Sequence, residues 1–258
     1  MPKVLGLLRV KNEARFTRDV IAAANFCNDI LVFDDHSTDR TREIASEFGN
    51  VWIIKSPFQE VENWVEEGRD RTYHAYAAAP FKPDWIAQIN GDEVFEPDTA
   101  RKIAPFLERP DIGIIETHCL TYWDNEDTLR VDGHFATSFR QTFWRYPKDG
   151  DLRYGFAHDS LPNAAKGFAR TREANVAFWH YGGIDADRRR LRSELYRTID
   201  PDRSCSDWRI MMQGDPGGPD KSENLTGESF RTLGTYEYLQ SVGNIYSRRP
   251  CLTAAKSQ

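Results

Sequence analysis

Short apolar runs that stop at polar residues, each followed by apolar positions at helical spacing, organise the first half of the chain. Val4 to Val10 is the first run and ends at Lys11-Asn12-Glu13; its length and content predict a buried strand. From Glu13 to Cys27 the apolar positions Phe16, Val20, Ala23, Ala24 and Cys27 recur at helical spacing before Asn28-Asp29 breaks the pattern. Ile30 to Phe33 is a second predicted strand, and Ser37 or Thr38 can cap a helix with Ile44, Ala45 and Phe48 on one face. Gly49-Asn50 closes it, and Val51 to Ile54 is the third strand. This βαβαβ opening predicts an α/β fold with a Rossmann-like, mostly parallel central sheet, right-handed crossovers and helices on both faces.

Further on, Glu60 to Ala79 reads as a loop and a helix with Tyr73, Tyr76, Ala77 and Ala78 facing inward. Trp85 to Ile89 is a fourth strand, Pro97 to Leu107 a helix and Ile112 to Leu120 a fifth strand. The alternation then changes: Arg130 to Tyr146 predicts a smaller antiparallel excursion. Ala174 to Tyr181 is a further strand, followed by a basic helix from Asp185 to Ile199. The Gly/Pro breaker at 214–219 sets off a polar C-terminal segment, helical or irregular, with a weak helical signal around Phe230 to Leu239. The expected organisation is one domain over 1–214, itself in two halves (1–120 and 121–214), and a C-terminal extension over 215–258.

Composition narrows the field in three respects. A chain of 258 residues, 40% hydrophobic and 29% charged, can bury a full globular core. The net charge of -6 argues against a general affinity for nucleic acid. Cys27, Cys119, Cys205 and Cys251 show no CxxC spacing, so zinc or redox chemistry is not indicated, and Cys27 and Cys119 read as reduced core residues. No apolar run approaches the roughly 20 residues of a membrane span, and the N-terminus enters a strand directly, so a cytoplasmic location is expected.

Two strand ends carry candidate chemistry. Asp34-Asp35 closes the second strand, and Asn90-Gly91-Asp92-Glu93 closes the fourth. In open α/β sheets ligands bind at the carboxyl ends of strands. Asp34 and Asp35 suit a base, a ribose or a cation better than phosphate. Asp92 suits a hard cation such as Mg²⁺ or Mn²⁺, which takes one or two carboxylates plus substrate phosphates. A solvated acidic turn is the bland alternative at either position.

Leu8-Arg9-Val10-Lys11-Asn12-Glu13, then Val32 to Thr41, then Asp84 to Glu93, together resemble family 2 glycosyltransferases, whose "KNE", "DDxSTDxT" and "DxDE" signatures come in this order. The match covers about residues 3–120 well and 136–200 more loosely. The resemblance implies the GT-A fold and metal-dependent, inverting transfer of a sugar from a nucleotide-sugar donor, UDP-linked in the usual case, to an acceptor hydroxyl. It makes 1–120 the donor half and 121–214 the acceptor half. Arg9, Glu13, Asp34, Asp35, Arg71 and Asn90 are then donor-nucleotide residues, with an aspartate of the Asp34/Asp35 pair on the base. Asp92 matches the second Asp of DxD and binds Mn²⁺ or Mg²⁺; Asn90 departs from the pattern where the first Asp usually stands.

The second half supplies the acceptor side. Phe139-Arg140 followed by His158-Asp159 resembles an "FR" strand before a "vHE" turn, with Asp159 in place of the glutamate. Asp159 is thereby the expected base that deprotonates the acceptor, with Glu116 and Asp132 as rivals. His180, in Phe178-Trp179-His180-Tyr181-Gly182-Gly183, resembles a late "HyGy" element and can complete the metal site. Arg188 and Arg192 share a helix face: a solvated basic face is the bland reading, and contact with the diphosphate or an anionic acceptor the functional one. Tyr122, Trp123, Trp144 and Trp179 are candidates for a sugar-binding surface, against ordinary core. The acceptor class (glycan, lipid-linked, protein or modified nucleic acid) is left open. Alternatives are a catalytically silent nucleotide-sugar or carbohydrate-binding relative and a sugar-phosphate nucleotidyltransferase. The second lacks support, because no Gly-rich basic loop follows the first strand.

Overall fold

The computed structural model describes residues 1–59, 64–131, 135, 138–155, 160–199 and 230–232. Four strands form its parallel half: β1 (Val4–Val10), β2 (Asp29–Asp34), β3 (Val51–Lys55) and β4 (Trp85–Asn90). They lie in the order β3-β2-β1-β4, joined through α1 (Thr17–Ala23), α2 (Thr41–Ala45) and α3 (Trp64–Ala77). Alternation along β1 separates two cores, as a period of two requires. Val4, Leu8 and Val10 pack with Val20 and Ile21 of α1, whereas Leu5 and Leu7 pack with Ala75 of α3 and Ala78 just beyond it. Helices therefore cover both faces, as expected.

After β4 the sheet changes character. β5 (Glu93–Phe95) and α4 (Thr99–Leu107) lead to the long β6 (Ile114–Trp123), then β7 (Asn125–Arg130) and β8 (Phe139–Arg145). β8 runs antiparallel to both β4 and β6 and so joins the two halves. β9 (Arg170–Thr171) and β10 (Ala177–Gly183) follow, and α5 (Ala186–Ile199) closes the described core. β10 lies between β5, antiparallel, and β6, parallel. This pairing brings His180 opposite Glu93 and Thr121. No helix among the described residues is long and apolar enough to cross a membrane.

Several local expectations are corrected. Neither Ser37 nor Thr38 caps α2. The N-cap is Arg40, with no side-chain cap bond of its own, and the Thr41 N–H is accepted by the Asp39 carboxylate at 2.9 Å. Tyr73 and Tyr76 are 38% and 48% exposed, while Asp70, His74, Ala75 and Ala78 are buried. The helix phase is set by polar anchors, the His74 Nε2 bond to the Leu31 carbonyl (2.8 Å) and the Asp70–Arg9 pair, which an apolar pattern does not register. The helical signal at Phe230 fails over its first three residues. Phe230–Thr232 forms β11, antiparallel on β7, where an open strand edge offers unpaired backbone groups.

Candidate functional site

The three motifs of the first half meet because of strand register. β1 is flanked by β2 and β4, with Val10 beside Asp34 and Arg9 beside Asn90. Residues some 80 positions apart thus lie side by side at one carboxyl edge. Behind them, the turn after β1 is locked to the turn after β2. Asn12 adopts a left-handed φ of 54°, which Asn tolerates better than most residues. Its side-chain oxygen accepts the Thr38 N–H at 2.8 Å, and its own N–H donates to Ser37 Oγ at 3.0 Å. Thr41 Oγ1 accepts the Glu13 N–H at 2.8 Å. Much of "KNE" and "STDxT" is therefore scaffolding that fixes where Glu13, Asp34 and Asp35 stand.

Asp34 and Asp35 point to different places. Asp34 is 1% exposed; Oδ1 accepts from the Ser37 amide at 3.3 Å, while Oδ2 has no hydrogen-bond partner and lies 3.6 Å from Arg42. Asp35 pairs with Arg9 at 2.5 Å, and Arg9 also reaches the buried Asp70 at 3.0 Å. Burial raises the Asp35 pKa and the nearby Asp70 adds to this, against the pull of Arg9. Asp70 escaped the sequence reading, since a lone helical carboxylate gives no sign of being buried. Arg71 forks onto Glu67 (2.9 and 2.7 Å) and approaches Asn90 Oδ1 at 3.4 Å. Asn90 in turn donates its amide to Glu93 at 2.8 Å, and Glu93 is paired with Arg140. Asn90 is thus tied into a network beside the site.

Asp92 is the centre of the second cluster. It is 2% exposed, and its Oδ2 lies 2.9 Å from Arg188, 3.0 Å from Arg192 and 3.5 Å from His180 Nε2. Arg188 also holds Glu13 Oε1 at 2.7 Å. Gly91 permits this closeness, for a Cβ there would lie 2.8 Å from Glu13 Cγ. Burial alone would raise the Asp92 pKa, but Arg192, His180 and Arg188 hold it well below the usual carboxylate range. Burial would likewise lower His180, yet Asp92 keeps the imidazole protonated, with a pKa of about 9. Burial and Asp92 together raise Glu13, against Arg188. His180 is mid-strand, with a register shift after it that loosens the pairing with β6 before Gly183.

The chemistry of the donor set suits a divalent ion in type: a carboxylate and an imidazole converge, and phosphate oxygens of a substrate would supply the rest. The buried Glu13 Oε2 has no hydrogen-bond partner and faces the same cluster. Two guanidinium groups lie on Asp92 Oδ2, and among the described residues no three His, Cys, Asp or Glu side chains converge as a metal site.

The remaining candidates divide. Asp159 and Asp132 lie outside the described residues. Glu116 is near the start of β6, not the end of a strand, roughly 16 Å along it from the Thr121 that neighbours His180. It is paired with Arg172 at 2.6 Å and lies away from the Asp92 cluster. Tyr122, Trp123, Trp144 and Trp179 are at most 1% exposed and belong to the core, not to a sugar-binding surface. The solvated reading of the basic helix fails too. Arg188 and Arg192 turn inward, and Arg189 is 1% exposed, bonded to the Gly183 carbonyl at 2.7 Å and to Asp124 at 2.8 Å.

The model of glycosyl transferase family 2 matches residues 10–169, a span that begins at the end of β1 and takes in every motif of this sheet edge beyond Arg9. The chain belongs to glycosyl transferase family 2. Uncharacterized proteins of Mycobacterium tuberculosis and Mycobacterium bovis are each 27% identical over 212 residues, covering 78% of this chain and 51% of theirs. The chain spans about half the length of these curated relatives. Among solved structures, S. aureus TarS in complex with UDP-GlcNAc superposes with a TM-score of 0.52 at 12% identity, over 77% of this chain and 67% of that one. At that identity the likeness is one of fold, and it places this family member among GT-A-like α/β structures.

Proposed function

We propose that this family 2 member transfers a sugar from a nucleotide-sugar donor, UDP-linked, to an acceptor hydroxyl with inversion. The observation that carries the reading is the meeting, at one sheet edge, of an acidic nucleoside end (Arg9, Asp34, Asp35, Asn90, with Arg71 and Glu13) and a cationic cluster on Asp92. A nucleoside diphosphate has the matching polarity, with hydrogen-bond donors on its base and negative charge on its phosphates. Asp34 Oδ2, buried and without a hydrogen-bond partner, suits an N–H donor of the base. Asp92 and His180 would hold Mn²⁺ or Mg²⁺, and such an ion would neutralise charge on the departing diphosphate. Asp159, by its place in the sequence, is the proposed base for the acceptor hydroxyl, and residues 121–214 the proposed acceptor half.

The test is a thermal-unfolding panel of nucleotide sugars with and without Mn²⁺, followed by measurement of released nucleoside diphosphate. The right donor raises the midpoint by mass action and is turned over when acceptor is supplied. If no nucleotide sugar moves the midpoint, the donor reading is wrong. A catalytically silent binding relative is the second reading, motivated by Asn90, whose amide is engaged by Glu93 and Arg71. Binding without release of nucleoside diphosphate would select it.

A further inference from the structure

The network around Asn90 ends in a cation that the donor reading does not use. Arg140 stands on β8, in the half of the chain proposed to meet the acceptor, yet it is carried to the edge that holds Asp92. Its Nη1 is paired with Glu93 Oε1, and Glu93 is both the residue after Asp92 and the strand partner of His180. Glu93 is 2% exposed. It accepts the Asn90 side-chain amide on the same oxygen at 2.8 Å and the Asn90 backbone N–H on the other at 3.2 Å. The ring of Phe178 lies 5.7 Å from the guanidinium. Arg140 is thus anchored by one nitrogen while 38% of its side chain stays exposed.

Among the described residues, Arg140 hydrogen-bonds through Nη1 alone, which leaves Nε and Nη2 open. Those two atoms form the side-on edge of the guanidinium. Arg71 uses this edge to fork onto Glu67 at 2.9 and 2.7 Å, and Arg109 uses it on Asp111 at 3.2 and 2.6 Å. Such an edge matches two oxygens of a carboxylate or phosphate. Asn90 keeps the anchor intact, because an amide donates to Glu93, whereas an aspartate would set carboxylate against carboxylate.

We propose that Arg140 is a specificity-determining residue for the acceptor, and that the acceptor carries a carboxylate or phosphate received by the open Nε/Nη2 edge. Glu93 and Asn90 are the positioning residues that aim it. The proposal rests on the nucleotide-sugar reading above, from which it takes the need for an acceptor.

Glucose, glucuronate and glucose 6-phosphate are the probes, one scaffold in neutral, carboxylate and phosphate forms. Binding is measured calorimetrically with and without UDP and Mn²⁺. The wild-type chain should bind one or both anionic sugars about tenfold or more tighter than glucose, the range for hydrogen bonds to charged groups. That preference should shrink as salt is raised, and the tighter anion names the group. Arg140→Gln should abolish the preference, and Arg140→Lys, which keeps the charge but not the fork, should retain only part of it. Because Arg140→Gln strands the buried Glu93, Arg140→Gln combined with Glu93→Gln is tested too, with thermal unfolding of every variant. Asn90→Asp should weaken the preference, and adding Glu93→Gln should restore part of it, since amide and carboxylate have then changed places. Arg101→Gln, at an exposed pair with Asp98, should change nothing.

A wild type without preference for either anion overturns the proposal, as does a preference that survives in folded Arg140 variants. A preference that disappears once UDP and Mn²⁺ are bound also overturns it, because Arg140 then serves the donor's phosphates. If UDP fails to bind while the preference still depends on Arg140, the anion seat stands and the nucleotide reading fails.

Discussion

The two ends of the site are built by different means. At the proposed nucleoside end, β1, β2 and β4 pair in parallel, and motifs that close each strand become neighbours through register alone. At the proposed phosphate end, Asp92 receives His180 from β10 and two arginines from α5, groups 88 to 100 positions further along the chain. The first end is anionic: Asp34 keeps an unpartnered oxygen, and Asp35 and Asp70 share Arg9. At the second, two guanidinium groups and an imidazole converge on one carboxylate oxygen. The contrast teaches that a strand-end motif can fix half of a ligand site, while the charge that selects the other half is assembled at long range.

The largest expected effect is at the phosphate end. Asp92→Ala leaves Arg188, Arg192 and His180 facing one another, and breaking a buried charge cluster costs about 3–5 kcal/mol. Urea unfolding should show that loss, and turnover should fall by about two orders of magnitude or more, a barrier increase near 2.7 kcal/mol. Wild-type, metal-dependent turnover in this variant would break the assignment. Gly182→Ala, whose Cβ would lie 2.2 Å from Arg192 Nη1, should act more mildly, with an overpacking cost of about 1–3 kcal/mol. It should weaken pyrophosphate binding about tenfold, an energy of 1.4 kcal/mol, and leave uridine binding unchanged.

Asp34→Asn should do the reverse. Removing an anionic acceptor costs about 1.5 kcal/mol at the lower end of its range, which should raise the donor KM roughly tenfold with kcat preserved, while pyrophosphate binding stays constant. If either substitution moves both probes equally, the two ends are not separable. The smallest effect near neutral pH concerns His74, which anchors α3 to β2 through the Leu31 carbonyl. Burial lowers its pKa to about 3, from an ordinary value near 6.5. The folded chain holds this ring neutral, so the unfolded state takes up the proton first as pH falls. Stability is unaffected by His74 above pH 6.5 and declines below it towards about pH 3, with a slope of at most about 1.4 kcal/mol per pH unit. His74→Gln should flatten that acid limb in unfolding measured across pH.

The legible part of the molecule was its parallel half. The runs Val4–Val10, Ile30–Phe33, Val51–Ile54 and Trp85–Ile89 became strands with ends shifted by one residue at most; the three interior strands are apolar along their length because both faces are covered, and the edge strand β3 is only partly buried. Asp34, Asp35 and Asp92 stand out in the sequence for a related reason, as carboxylates at or just beyond the ends of such runs, and the structure brings them to one sheet edge. β5 was missed because three residues are too few to show a period. Tyr73 and Tyr76 were turned the wrong way because Asp70 and His74 set the phase of α3 through polar contacts. Arg188 and Arg192 share a face by helical spacing, but spacing cannot say whether that face meets water or Asp92.

The sequence by itself determined the α/β class, the order of the parallel half and the family, since local hydrophobic period and strand-end motifs depend on near neighbours. Tertiary structure alone decided which carboxylate is buried without a hydrogen-bond partner, that Asn90 is held in a side network and that two arginines share one oxygen of Asp92. Those properties are set by charge and burial where separate elements meet, the arginines reaching Asp92 across 96 and 100 positions, and no local pattern encodes such meetings.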